Sequence, residues 1–271
     1  MLYPCQRAWQ ACSFFVTFDV GNLSDYNFGM ECVKESLVTS DNIKIAYNYF
    51  MCGHDCVLII AHGWFMGKDS KAFWQMSLDF SKYFDVITFD FRGHCESSGE
   101  YTFGAKETED LKAVVDFARK KYKKIFLIGF SLGSLISIDY CAKFEDIQKL
   151  IVVSAPIDFK FIENNVLSPN AFVPTLKKIE LKRWFSIRFK LTFDKKPSPI
   201  RLIKKIKIPT FFIAGEKDPI IKVRHNEKLY MHANNPKSEY VYKNGKHAED
   251  LYLENREDFI TKCVDWFNNN Q

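Results

Sequence analysis

An α/β fold with a mostly parallel, eight-stranded sheet flanked by helices follows from two patterns in this 271-residue sequence. Short continuous apolar runs such as Val57–Ala61 recur along the chain, as strands buried on both faces require. Between them lie amphipathic runs with the helical period, and strand alternating with helix means crossover units on a parallel sheet. The composition agrees: 47% hydrophobic, 26% charged and 26 phenylalanines. It excludes a disordered, collagen-like or coiled-coil chain, and no stretch reaches the roughly 20 apolar residues of a membrane-spanning helix.

Taken in order, Val33–Val38 and Ile43–Tyr49 flank the turn signal Ser40-Asp41-Asn42 and predict an opening hairpin. Val57–Ala61 is the first buried strand, followed by a helix over Lys71–Tyr83 and a strand over Asp85–Asp90. Thr108–Lys121 places Leu111, Val114, Val115 and Ala118 on one helical face. Lys124–Gly129 and Leu132–Lys143 repeat the strand–helix unit, and Leu150–Pro156 and Thr210–Gly215 are further core strands. Tyr240-Val241-Tyr242 is the last strand, before a terminal helix; His225 and His232 fall in a helical run and are expected on the surface.

Two segments break the rhythm. Residues 1–29 have no clear period and no secretion-signal h-region. Pattern begins after Met30, which fits a true start there and a peripheral leader outside the domain of residues 30–271. The second segment is an insert at about 157–208, which holds 13 Lys/Arg against 4 Asp/Glu. Since the whole chain is +5, the insert carries about +9 and the remainder about −4. Phe185, Ile187, Phe189, Leu191 and Phe193 alternate there with Ser186, Arg188, Lys190 and Thr192, predicting a strand with one apolar and one basic face. An insert here reads as a small lid over the carboxyl edge of the sheet, where open α/β sheets bind ligands. Its charge reads either as a solvated face or as weak attraction to an anionic membrane surface or a carboxylate-bearing substrate. The modest net charge gives no reason to expect nucleic acid as a partner. The eight cysteines contain no C-x-x-C pair and no zinc spacing, so free thiols in a reducing, cytoplasmic compartment are expected and no metal.

The chemistry concentrates in Gly129-Phe130-Ser131-Leu132-Gly133. This G-x-S-x-G lies between a buried strand and a helix, the context of a nucleophile elbow, and the elbow lifts Ser131 to a helix N-terminus that favours an anion. A serine hydroxyl needs a base, and the base needs an acid to hold its tautomer. Of six histidines, His247 lies in a glycine-bearing loop after the last strand, where it faces the elbow. Asp218 follows a strand directly and is presented by Pro219; Asp158 is the second choice of acid. The order Ser131, Asp218, His247 is nucleophile, acid, base. Two backbone amides should meet the developing oxyanion: Leu132 N–H, next to the nucleophile, and Trp64 N–H, from the loop after the first buried strand. His62, in that loop, is expected to be structural because the base role is filled.

His62-Gly63-Trp64, Asp90-Phe91-Arg92-Gly93-His94-Cys95-Glu96-Ser97-Ser98-Gly99, the elbow, Asp218 and His247 together resemble the α/β-hydrolase superfamily. The set is similar to the serine-hydrolase branch of monoglyceride lipases, lysophospholipases and cinnamoyl or feruloyl esterases. The likeness spans about residues 31–267; it departs in Cys95, where relatives often carry glycine, and in a short basic lid. It implies that the stretch 90–99 is a structural loop. It also implies hydrolysis of a small ester through an acyl-Ser131 intermediate, with neither metal nor organic cofactor. A thioesterase or amidase uses the same machinery, and a lipid-surface binding module with a vestigial site is the alternative of another class. The phenylalanines of the insert imply a closed acyl pocket suited to short, medium or compact aromatic acyl groups.

Overall fold

A computed structural model describes residues 31–158, 186–190 and 195–269. The run Cys56–Ala61 shows how a continuous apolar strand is used: Val57, Ile59 and Ala61 enter the core on one face of the sheet, Leu58 and Ile60 the core on the other. All five are at most 1% exposed, and burying each large aliphatic side chain contributes about 1.5–3 kcal/mol. This strand, β3, lies inside one eight-stranded sheet. Its other members are β1 (Glu31–Val38), β2 (Lys44–Met51), β4 (Asp85–Phe89), β5 (Lys124–Phe130), β6 (Lys149–Val153), β7 (Thr210–Gly215) and β8 (Lys237–Tyr242).

The order is β1-β2-β4-β3-β5-β6-β7-β8. β1 pairs antiparallel with β2 and β2 antiparallel with β4; every later pairing is parallel. One face is covered by helices α2 (Glu107–Arg119) and α3 (Leu132–Lys143) with α4 (Pro199–Leu202) and α5 (Val223–His232). The other is covered by α1 (Lys71–Phe80), α6 (Glu249–Glu254) and α7 (Arg256–Asn268). Since β3 and β5 to β8 run parallel, the loops after them gather at one edge.

The predicted elements appear in the predicted order, with shifted ends. The last strand is longer than Tyr240–Tyr242, and the terminal helix is two, broken at Asn255. His225 corrects an expectation: it is 1% exposed, because its face of α5 receives the chain leaving β6 and its Nδ1 accepts the Ile157 N–H at 3.2 Å. His232 is exposed as expected. The leader 1–29 and most of the predicted strand 185–193 lie outside the described residues. Within 186–190 there is an isolated parallel bridge, Tyr101 to Phe189. Among the described residues no helix is long and apolar enough to cross a membrane.

Candidate active site

The turn after β5 is strained where a nucleophile elbow has to be. Ser131, the residue between β5 and α3, has φ 51° and ψ −108°, a conformation that costs a non-glycine residue about 1–3 kcal/mol unless its surroundings impose it. They do: Ser131 N–H donates to Val153 O of β6 at 2.9 Å, and Leu135 N–H closes the first helical turn onto Ser131 O at 3.2 Å. Gly133 lets α3 start against the end of β3, since a Cβ there would lie 2.7 Å from His62 O. That close approach explains the second glycine of the motif.

The residues expected as acid and base are joined directly. His247 Nδ1–H donates to Asp218 Oδ2 at 2.7 Å. Asp218 is fully buried, and its other oxygen, Oδ1, accepts the N–H groups of Ile220 and Ile221, both at 2.8 Å. The carboxylate is therefore held from both sides, and its aim at the imidazole is fixed by the turn after β7. Asp158, the second choice of acid, accepts instead from Ser198 Oγ at 2.8 Å.

The loop carrying His247 is tied to the elbow through the end of β6. Ala248 N–H donates to Ser154 Oγ at 3.1 Å, and Ser154 directly follows Val153, whose carbonyl holds Ser131. Ser131 and Ala248, the neighbour of His247, are thus anchored to adjacent residues at the end of β6. Ser154 has φ 50°; in the sequence, a serine after a strand gives no signal of such a strut.

The third part is the loop after β3. A Cβ placed on Gly63 would lie 3.5 Å from Ser131 Cβ, so Trp64 follows a residue that lies against Ser131. Neither Trp64 N–H nor Leu132 N–H donates a hydrogen bond among the described residues. His62 fixes this loop: its Nδ1–H donates to Gly63 O at 2.6 Å and its Nε2 accepts Phe91 N–H at 3.1 Å.

The stretch after β4 braces that loop from below. Asp90, fully buried, accepts Lys68 N–H at 2.7 Å and Glu96 N–H at 3.2 Å; burial pushes its carboxyl up to about 7. Arg92 reaches Asp110 with Nε at 2.9 Å and Asp41 with Nη1 at 2.7 Å. Burial lowers the His94 imidazole to about 4. Cys95 has φ 41°, a region that suits glycine, which gives physical content to the departure noted at this position. A separate cleft lined by Arg119, Tyr122, Lys143 and Gln148 opens at the opposite edge of the sheet. Its Arg119 and Lys143 are paired with Asp146 and Asp139, so no chemistry comparable to the Ser131 corner gathers there.

The comparisons with known proteins agree with this architecture. The profile of the alpha/beta hydrolase fold matches residues 57–184. A Bacillus subtilis (strain 168) protein, YqkD, is 28% identical over 256 residues, covering 88% of this chain and 82% of its own. The pimeloyl-[acyl-carrier protein] methyl ester esterase of Wigglesworthia glossinidia brevipalpis is 31% identical over 212 residues, 62% of this chain and 76% of that one. Among solved structures, the Pyrococcus furiosus esterase Pf2001 superposes with a TM-score of 0.72 at 25% identity, covering 91% of this chain and 96% of that chain. With the sheet order and the strained turn after β5, these matches place the chain in the alpha/beta hydrolase fold family.

Proposed function

We propose that the protein is a serine hydrolase that cleaves carboxylic esters, with Ser131 as nucleophile, His247 as base and Asp218 as the acid that orients it. The observation that carries this reading is the 2.7 Å bond from His247 Nδ1–H to a carboxylate that is buried and amide-bonded. That bond holds the proton on Nδ1 and makes Nε2 the nitrogen that accepts. His247 Nε2 takes the proton from Ser131 Oγ as Oγ attacks the acyl carbon. The carbonyl oxygen becomes an oxyanion, received by the amides of Trp64 and Leu132; removing one such donor typically costs about 10²–10³ in kcat. Collapse expels the alkoxide, which takes the proton from His247. Water, deprotonated by the same nitrogen, then releases the acid and regenerates Ser131.

Ester rather than thioester or amide is favoured by the relatives: two of the matched proteins carry the word esterase in their names. The acyl group is read as short, medium or compact and aromatic, because the insert brings Phe189 against Trp64 and Phe65. Two cations of the insert are engaged within the protein, Arg188 with backbone carbonyls and Lys190 with Glu100 at 3.5 Å, which reduces the charge left for an anionic surface. The test is a panel of p-nitrophenyl esters from two to sixteen carbons beside matched thioesters and aminoacyl anilides. Fastest turnover of a short or aromatic ester is expected. Faster turnover of the anilides or thioesters would replace the ester reading.

A further inference from the structure

Residues 186–190 of the insert dock on the loop after β4 with the regularity of a strand. Arg188 N–H donates to Gly93 O at 2.9 Å, Arg188 O accepts Tyr101 N–H at 2.7 Å, and Lys190 N–H donates to Tyr101 O at 3.0 Å. Gly93 permits this contact: its φ is +71°, and a Cβ there would lie 2.7 Å from Arg188 O. The Arg188 side chain reinforces it, with Nε–H to Gly99 O at 3.1 Å, an Nη1 hydrogen bond to Ser186 O at 3.0 Å and an Nη2 bond to Ser97 O. The planar guanidinium suits such multiple capture, which a lysine ammonium cannot reproduce.

What this latch delivers is the next side chain. Phe189 stacks on Phe103 with centroids 5.9 Å apart and planes at 21°, and meets Tyr101 at 6.1 Å, Phe65 at 6.3 Å and Trp64 at 6.5 Å. The cluster is incomplete in two ways. Phe189 remains 47% exposed, and the buried Trp64 Nε1 and Tyr101 Oη have no hydrogen-bond partner among the described residues. Buried donors are seldom left unmade in a finished core. An aromatic surface with unmade donors, on the residue after Gly63, where a Cβ would lie 3.5 Å from Ser131 Cβ, has the character of a ligand subsite.

We propose that Arg188 is a positioning residue that seats Phe189 as a wall of the acyl subsite beside Trp64, and that this wall favours flat aromatic acyl groups over small ones. The assignment of the subsite to the acyl group rests on the Ser131 reading above; the seating of Phe189 does not.

The test uses Arg188→Ala, Arg188→Lys and Phe189→Ala in the full chain, with two readouts. In protein carrying 5-fluorotryptophan, the Trp64 fluorine signal is assigned by Trp64→Phe and titrated with benzyl alcohol and, separately, ethanol. The expected result is a saturable shift with benzyl alcohol alone in the unsubstituted protein. Arg188→Ala and Phe189→Ala should abolish it, Arg188→Lys should weaken it, and the distant Trp266 signal should stay unmoved. A Trp64 signal indifferent to Arg188→Ala, or to benzyl alcohol, overturns the proposal whether or not any ester is turned over. In the second readout, the ratio of kcat/KM for benzoyl over acetyl p-nitrophenyl esters should fall about tenfold in Arg188→Ala and Phe189→Ala, through KM. Equal losses on both esters would make the residues ordinary stabilisers and overturn the subsite. An unsubstituted protein that turns over neither ester, yet shows the fluorine shift, would contradict the hydrolase reading and support the seating of Phe189.

Discussion

His62 and His247 both sit in loops at the carboxyl edge of the sheet, both nearly buried at 1% and 8% exposure. Their Nδ1 protons point to different chemistry. In His62 the proton goes to the carbonyl of Gly63 and Nε2 accepts the Phe91 amide, so both nitrogens are committed to backbone. In His247 the proton goes to a buried carboxylate. A neutral carbonyl only orients a ring, whereas a carboxylate also stabilises the imidazolium that forms when Nε2 takes a proton. A loop at the carboxyl edge is therefore not what would separate a base from a brace; the partner of Nδ1 is.

The largest expected effect breaks the base. His247→Ala should lower kcat/KM for the best ester by about 10⁴–10⁶-fold, and Asp218→Asn by about 10³–10⁴, as in triads elsewhere. Thermal melts of the same proteins should show that His247→Ala shifts stability much less than it shifts turnover. The reverse pattern is expected at the other ring. His62→Ala strands the Gly63 carbonyl and the Phe91 amide and should destabilise by about 2–4 kcal/mol in urea unfolding. Its turnover should fall less than that of His247→Ala, since the loop can be displaced without loss of the base.

A third histidine sharpens the contrast through pH. His94 is fully buried, its Nδ1–H donates to Arg92 O at 3.1 Å, and its ring packs on His62 and Tyr101. Burial foremost, and then the positive charge of Arg188, lowers its imidazole to about 4. Below pH about 6.5 the unfolded chain takes up a proton that the folded chain refuses until about 4. The contribution is thus fully present above about 6.5 and is lost as pH falls from there to 4, amounting to at most about 3 kcal/mol. Unfolding of the unsubstituted protein and of His94→Gln across that range should show a steeper loss in the former; parallel curves would contradict it. The smallest effect belongs to Ser154→Ala, which removes the acceptor of Ala248 N–H beneath His247 and should cost about 1–2 kcal/mol of stability, with a fall in kcat of no more than about tenfold.

How much of this could be read from the sequence depended on the range of the contact involved. β3 and β5 were legible because apolar residues on both faces leave a continuous run, and Gly129-Phe130-Ser131-Leu132-Gly133 because its strand–turn–helix context is local. β8 was read short because Lys237 and Glu239 interrupt the apolar pattern of an edge strand. A helical run alone puts His225 on the surface, whereas its burial depends on the Ile157 amide, 68 positions away. Period alone puts Arg188 on a basic face, yet its guanidinium serves carbonyls of a loop about ninety positions earlier. Local period places a side chain on an element; it does not say which distant backbone will need its donors.

The measurement that bears most directly on the central claim is covalent labelling by a fluorophosphonate probe, read as a mass shift on the peptide bearing Ser131. Stoichiometric labelling at Ser131 is expected in the unsubstituted protein, retained in a folded His62 variant at a reduced rate and slowed at least a thousandfold in His247→Ala, about the loss expected when a nucleophile is left without its base. Labelling that spares Ser131, or that proceeds equally fast without His247, would contradict it.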